Sequence, residues 1–501
     1  MPVGLAFDKA QAGFQAVSNG SAKPVVAVIG GGFTGAALAY HLARLLGPGA
    51  AKIVVYEPRA VLGGGVAYDT DEPVHRINVP AARMTLVPGD DEHFQRWLFE
   101  TSALQDDPGA TTADGHVFAR RSAFGRYVSS QLQPLVAAGD IEHRRSRVRA
   151  VTEAEGGGWH IAAEDGSELW ADGVVLATSH PSPQPPAALD KVLAGHDRYI
   201  PDATLPAALS SIRPDDRVLV VGTGLTAADV IATLDAAGHR GLVTAVSRRG
   251  LRSRGHNLSP QDPFGDFVDL PARSARALLR RVRRTLAEAE ASGVTWHAVF
   301  DRLRGQGGDI WRALPVAERR RIVRFLRPYW DVHRFRIAPQ VEAAIDRRKA
   351  AGTFVLHAAS IAGVTRQADG EIAVTFRPRH GREPFEGRYD AVVVTTGPGH
   401  RSILASQPFL ECLARTGVLQ PDSVGLGLAV DEQSRAIRPD GRTAKTLFIA
   451  GPLARGTFGE LMGLPQVTDH AVFVATRIAD ELVDVLDTVE PMLTAGRVVE
   501  G

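Results

Sequence analysis

The sequence predicts an α/β protein built on two separate units of strand, glycine turn, helix and strand. Three observations carry this expectation. Two apolar runs, Val25-Val26-Ala27-Val28-Ile29 and Arg217-Val218-Leu219-Val220-Val221, have the unbroken hydrophobicity of parallel strands buried on both faces. Each leads into a glycine turn, Gly30-Gly31-Gly32-Phe33-Thr34-Gly35 and Gly222-Thr223-Gly224-Leu225-Thr226-Ala227. Each turn opens a helical stretch that is followed by a second apolar strand.

Taken in chain order, residues 1–23 form a loose leader with no basic n-region or continuous apolar core. A helix is expected over Ala36–Leu46, where Leu38, His41, Leu42 and Leu45 recur at i, i+3, i+4 and i+7. The strand Lys52–Tyr56 follows and ends in Glu57. Gly173–Thr178 is a further buried strand. In the second unit, a helix through Ala237 leads to the strand Leu242–Ser247, which ends in Arg248-Arg249. An arginine-rich helical region comes next, with helices near Ser274–Ala291 and around Val316–Phe325. Residues 273–336 hold sixteen arginines and six acids, which suits a nucleic-acid arm on charge alone. The stripe Ala275, Leu278, Leu279, Val282 and Leu286, with Trp311, Phe325 and Trp330, favours a packed cap instead. Strands at Ala391–Gly397 and Leu447–Gly451 end in small residues, as strands do where something must approach closely.

The expected organisation is therefore two Rossmann-type dinucleotide-binding domains, one inserted in the other. A first domain takes residues 20–210 and 385–501. The second takes residues 211–384 and carries the helical cap near 270–345.

Composition narrows the function classes. The 57 basic and 56 acidic residues of the 501-residue chain nearly cancel, so no global charge favours nucleic acid or an anionic membrane. Cys412 is the single cysteine, which excludes an intramolecular disulfide and a dithiol redox pair. A cytoplasmic home fits that cysteine usage. No metal-ligand spacing and no comfortable membrane span are present; the most apolar window, Val25–Ala43, is too rich in glycine.

The motifs carry the chemistry. In Gly30-x-Gly32-x-x-Gly35, glycines permit a tight turn, close approach of backbone to a pyrophosphate, and packing of helix on strand. The amides and positive end of the helix bind the anion. Glu57, 22 residues after Gly35, is placed to accept ribose hydroxyls and to repel a 2′-phosphate. In the second turn, Gly222-x-Gly224-x-x-Ala227, Arg248 takes the place of that acid, 21 residues after Ala227. An arginine there suits a 2′-phosphate, or stacks on adenine. The pair of sites points to FAD together with NAD(P)H. Without redox cysteines, electrons must pass to oxygen or a small organic acceptor.

The chain resembles the two-dinucleotide-binding flavoprotein superfamily, which includes flavin-containing and N-hydroxylating monooxygenases. The resemblance lies in the glycine turns, in Asp390 with Ala391-Val392-Val393-Val394-Thr395-Thr396-Gly397, and in Asp172 with Gly173–Thr178. More narrowly, it is similar to the bacterial FAD-NAD(P)-binding family that contains FAD-dependent urate hydroxylase. The stretches Leu62–Tyr68, His75–Ala81, Phe118–Tyr127, Tyr329–Arg336 and Gly451–Gly456 carry that likeness.

This resemblance implies an NAD(P)H- and O2-dependent monooxygenase acting on a small electron-rich molecule, with urate, converted to 5-hydroxyisourate in purine breakdown, as the expected substrate. It implies that Gly63, Gly64 and Gly65 pass close to the flavin and that Gly451 approaches its ribityl or phosphate. Asn78 falls where related enzymes place an asparagine beside the isoalloxazine; a backbone-satisfied turn is the alternative. The Leu464–Val467 loop is expected to start a helix facing the pyrimidine end of the flavin. His333, Arg334 and Arg336 form a candidate grip on a planar anion, with His333 as general base. His256 is a second candidate, and His180 and His400 follow strand ends. A flavin oxidase or dehydrogenase without hydroxylation, a non-catalytic redox sensor and an RNA-modifying enzyme are the competing classes. A homodimer is left open.

Overall fold

The protein is described by a computed structural model over residues 23–495 except 258 and 260, without the side chains of 380, 400, 401 and 484–495. Nearly all of the expected leader and the His400 side chain lie outside the described residues. β1 (Val25–Ile29), β2 (Lys52–Tyr56) and β3 (Ile141–Arg144) come first. The hairpin strands β4 (Val148–Glu153), β5 (Trp159–Ala163) and β6 (Glu168–Ala171) then precede β7 (Gly173–Leu176). β8 (Tyr199–Ile200), β9 (Val218–Val221) and β10 (Val243–Ser247) lead to the cap. Beyond it lie β11 (Phe354–Arg366), β12 (Ile372–Pro378), β13 (Phe385–Tyr389) and β14 (Ala391–Val394), and finally β15 (Arg435–Ile437) and β16 (Thr443–Ile449).

These strands form three sheets. The first has the order β15-β16-β7-β1-β2-β3, the second β13-β12-β11-β10-β9-β14-β8, and the third is the antiparallel insert β4-β5-β6. In each large sheet the apolar strand before the glycine turn is flanked on both sides by parallel partners. Ile29 aligns with Tyr56 and Leu176, and Val221 with Val246 and Val394. Such strands are covered on both faces, which is why Val26, Ala27 and Val28 are fully buried; helices cover one face of β1, and the β4–β6 insert with Leu410 and Leu413 covers the other. The long strand β11 runs parallel to β10 as far as Ala358, then pairs antiparallel with β12, with a bulge between Ile361 and Gly363.

The domain boundaries expected at 210/211 and 384/385 cut through the second sheet. Ala391–Val394 lies beside Val218–Val221 in register, and β8 pairs with β14, so both belong with the second glycine turn. An apolar run ending in Thr-Thr-Gly suits the edge of either central strand. Only the pairing register distinguishes them.

The helix after the first turn is Phe33–Leu46, one turn longer at its start than expected, and it packs along the C-terminal helix Gln466–Ala495. The cap is packed, as its stripes indicate. In the helix Ala275–Ala291, whose Ser274 side chain caps the first turn, Leu278, Val282 and Leu286 lie against a core of Phe267, Val299, Leu303 and Leu314. Trp311 is buried, but Phe325 is 52% exposed. No described helix is long and apolar enough to cross a membrane.

The two large sheets are tied together by charge as well as by apolar packing. Arg121, at the start of the helix Arg121–Ala137, donates through Nη1 and Nη2 to both carboxylate oxygens of Asp229 at 2.8 and 3.0 Å. Asp229 is on the helix Leu225–Ala236 of the second unit, and Thr233 of that helix contacts His75 at 3.2 Å. Both members of the ion pair are largely buried, with side chains 16% and 11% exposed. We predict that Arg121→Ala lowers stability by about 2–3 kcal/mol, because Asp229 then keeps a desolvated charge without its partner. Urea unfolding checks this; an unchanged midpoint would deny the pair any part in docking the sheets.

Candidate functional site

At the first turn, the geometry demands glycine where the helix meets the strand. A Cβ on Gly35 would lie 1.8 Å from the Gly30 carbonyl oxygen. Gly32 caps the helix with extended backbone and supplies no side chain to its free amides. An uncapped helix end in a cradle that admits no side chains is an anion site. Beside it, the Thr178 hydroxyl is buried without a partner among the described residues. These features fit the diphosphate of a dinucleotide such as FAD.

Glu57 is 4% exposed at the end of β2. It accepts hydrogen bonds from the Gly31 N–H at 3.1 Å and from the Arg59 N–H and Nη1 at 3.1 and 3.0 Å. A carboxylate has about four acceptor positions, so capacity remains for a ribose hydroxyl. The Gly63–Gly65 loop folds onto this turn: the Gly63 N–H donates to the Gly31 carbonyl at 2.8 Å. Gly64 precedes the short helix Gly65–Tyr68, and a Cβ on Gly65 would stand 2.9 Å from Gly32 Cα. Gly451 likewise crosses the first turn of the helix, close to Thr34. Its N–H donates to His470 Nδ1 at 3.0 Å. That amide is therefore engaged within the protein, and the expected approach of Gly451 to a cofactor would not use it. His470 Nε2 faces Ser434 Oγ at 3.3 Å, whose hydroxyl donates to the Ile449 carbonyl at 2.6 Å.

The second turn repeats the arrangement. Gly222 passes against the Thr395 carbonyl, Gly224 caps the helix without a side-chain donor or acceptor, and Ala227 is buried in that helix. The space where Gly224 would carry a Cβ is open to 4 Å. Arg248 is exposed past the end of β10 and has no hydrogen-bond or ion-pair partner among the described residues. It lines a cleft of about 890 Å³ that also touches Gly397–Gly399 after β14 and the cap. Ligands of parallel α/β sheets bind outside the carboxyl ends of the strands, which is where this cleft lies.

A polar cluster forms where the cap meets the first domain. Asn78 lends its backbone carbonyl to His256 Nε2 at 3.0 Å, and its side-chain amide has no partner among the described residues. His256 is pushed down to about 4 by burial and by Arg336, so its ring is neutral near pH 7 with the proton on Nε2. His297 is also pushed down to about 4 by burial and Arg336. Arg336 donates to the His333 and His297 carbonyls and pairs with Asp301 at 2.9 Å. His333 stacks on Phe300 at 4.6 Å and hydrogen-bonds the Tyr329 carbonyl through Nδ1 at 2.7 Å; burial lowers its pKa.

Thus Asn78, His256, His333 and Arg336 share one neighbourhood. Arg334 turns elsewhere, donating through Nε to Glu460 at 2.6 Å with both side chains buried. The pair Arg334 and Arg336 does not form the expected grip on a planar anion: Arg334 Nε is held by Glu460 and Arg336 by Asp301, while Arg334 Nη2 is buried without a partner among the described residues. This arrangement gives no support to urate as the substrate. His180 lies 3.1 Å from the Met462 sulfur.

His297, Asp301, Arg304, Arg455 and Glu460 belong to this region and were not expected from sequence. Arg304, pushed down to about 9 by burial and by Arg334, holds Gln466 Oε1 at 2.9 Å, at the start of the helix that follows the Leu464 loop. Arg455, pushed down to about 10 by burial and Arg327, has Nε and Nη1 buried without partners among the described residues. Apart from Arg455, within the Gly451–Gly456 stretch, no motif marks these residues, which come from two segments more than a hundred positions apart. No group of residues able to hold a metal is found among the described residues.

Comparison with known proteins agrees with the cradles. Residues 27–181 match the FAD-NAD(P)-binding family, which covers the first turn and the hairpin insert. No curated protein matches the sequence. Three solved structures are alike over nearly the whole chain. Reduced ornithine hydroxylase from Pseudomonas aeruginosa has a TM-score of 0.61 at 16% identity, covering 92% of this chain and 99% of that one. L-lysine 6-monooxygenase from Pseudomonas syringae has 0.59 at 19%, covering 92% and 99%. The FAD-bound cadaverine monooxygenase of desferrioxamine biosynthesis from Erwinia amylovora has 0.59 at 14%, covering 91% and 94%. The fold is the α/β fold with two Rossmann-type units that these structures share.

The neutral histidines set a pH dependence. His256, His297 and His470 each fall from 6.5 to about 4, burial being the largest cause. Unfolding restores ordinary proton affinity, so between these values the unfolded chain binds protons that the folded one does not. Stability is complete above about pH 6.5 and is lost as pH falls toward 4. Thermal midpoints measured from pH 8 to pH 4 should drop below pH 6.5, with a shallower drop in His470→Asn. A midpoint that rose on acidification would contradict the assignment.

Proposed function

We propose that the protein is an FAD-dependent, NADPH-fed monooxygenase that hydroxylates an amine nitrogen of a small molecule. The observation that carries this reading is the presence, in one chain, of two uncapped glycine cradles, acid-ended in the first sheet and arginine-ended in the second. FAD would be held by Gly30, Gly32, Gly35 and Glu57, with Gly64, Gly65 and Gly451 closing around that turn. NADPH would be held by Gly222, Gly224, Ala227 and Arg248. Bound flavin supplies a hydride acceptor and the means of activating oxygen. The likeness to ornithine, lysine and cadaverine hydroxylases along more than nine-tenths of the chain supports an amine as the substrate class.

The chain's own groups suit that chemistry. A reactive amine nitrogen must keep its lone pair, and a fixed positive charge nearby would not discourage that, whereas a strong acid would protonate it. His256 and His297 stay neutral, and Arg336 is matched by Asp301. With Nε2–H donated to the Asn78 carbonyl, His256 Nδ1 is left as an acceptor for a substrate N–H. The Asn78 amide, without a partner among the described residues, would be a donor for the oxygen being transferred. His333 and Arg334 act through packing and through the Glu460 pair, as positioning residues.

The test is a purified protein loaded with FAD, supplied with NADPH and oxygen, and given ornithine, lysine, cadaverine or urate. The expected outcome is amine-dependent oxygen uptake with a hydroxylamine product and no response to urate. His256→Phe should lower coupled product at least about tenfold, on the scale of a lost hydrogen bond in a closed site. Peroxide as the sole product with every amine would favour an oxidase, and failure to take up FAD would reject the reading.

A further inference from the structure

The cleft beside Arg248 is lined by four arginines, Arg248, Arg320, Arg324 and Arg327, and by no carboxylate. Three of them belong to the cap, on the helical run that begins as Val316–Arg321 and ends as Arg327–Arg334. Their spacing of four and three residues sets them on one face, where like charges repel and weaken the helix. Between those two segments, Ile322–Leu326 is a turn of π-helix, a departure frequently found at functional sites.

Neutralisation is incomplete. Arg327 pairs with Asp331 at 3.2 Å. Among the described residues Arg320 donates only to the Ser423 carbonyl at 2.6 Å, and Arg324 rests on the Phe325 ring at 5.1 Å. Arg248 has no such partner among the described residues. Three guanidiniums thus share a concave space of about 890 Å³ without a matching acid. The far wall is stiff: Asp422 accepts the N–H groups of Val424, Gly425 and Leu426 at 2.7, 2.9 and 2.7 Å, and that of Gly427. Gly397, Gly399 and Gly425 line the cleft, and the space where a Cβ would stand is open at Gly397 and Gly425.

We propose that Arg320 and Arg324 of the cap close with Arg248 on the 2′-phosphate end of NADPH, so that the cap, and not the strand end alone, selects NADPH over NADH. The inference rests on the second cradle holding a nicotinamide dinucleotide. A doubly charged phosphate answers the two needs of the cleft, since it relieves the repulsion along the cap helix and offers oxygens for paired guanidinium hydrogen bonds.

The probes are 2′,5′-ADP and 5′-AMP, which differ in the 2′-phosphate, titrated by calorimetry into the full chain with and without added FAD. The wild type is expected to bind 2′,5′-ADP far more tightly than 5′-AMP, with affinity falling steeply in salt. Arg320→Ala with Arg324→Ala is expected to weaken 2′,5′-ADP at least about tenfold and 5′-AMP by less than about threefold, the loss of charge-assisted hydrogen bonds to one group. Lysine at both positions should restore part of the loss. Arg283→Ala, on an exposed face of another cap helix, should change neither. Equal binding of 2′,5′-ADP by the double variant and the wild type would overturn the clamp, as would a wild type indifferent to the 2′-phosphate. The expected pattern in a protein that never takes up FAD would uphold the clamp while removing the monooxygenase reading.

Discussion

The close approach of Gly35 to the Gly30 carbonyl is the constraint on which the rest of the first domain depends. With no room for a methyl group, the helix Phe33–Leu46 descends onto the end of β1, and its free amides gather at one point. The Gly63–Gly65 loop and Gly451 then pack against that same point from other parts of the chain. Glu57 is drawn in by the Gly31 amide, so the acid and the anion cradle are parts of one backbone arrangement. The second sheet repeats the device at Gly222 and Gly224, and the bidentate Arg121–Asp229 pair holds the two sheets in one orientation.

Between the sheets, the chemistry is governed by the cost of burying charge. Arg334 and Arg336 survive burial because Glu460 and Asp301 match them, whereas His256 and His297 survive by remaining neutral. This creates two kinds of surface. The cluster near Asn78 is internally balanced and suits a neutral reacting group. The cleft lined by Arg248, Arg320 and Arg324 is unbalanced and suits a polyanion. A dinucleotide that carries phosphate at one end and a reactive ring at the other joins surfaces of these two kinds.

Local sequence determined a good deal. Continuous apolar runs placed β1 and β2 to the residue, since burial on both faces leaves no polar position beyond the exposed Lys52 that opens β2. Glycine spacing placed both cradles, because the steric demand is local and only glycine meets it. Charge at the end of the second strand of each unit distinguished the two. The packed cap was also legible, from its helical stripe of leucine and valine.

Other features were decided by tertiary structure alone. The strand Ala391–Val394 was expected in the first domain, and register beside β9 puts it in the second sheet, a contact between residues 173 positions apart at Ala391 and Val218. The same holds for the arginines: fifty-seven basic residues include paired, stacked and unpaired guanidiniums that are identical in sequence. Whether an arginine can bind an anion depends on whether a carboxylate lies within reach, and for Arg334 and Arg336 the carboxylates come from Glu460 and Asp301, outside their own segment. Backbone sterics act within a few residues and can be read from sequence; neutralisation of charge acts through space and waits for the fold.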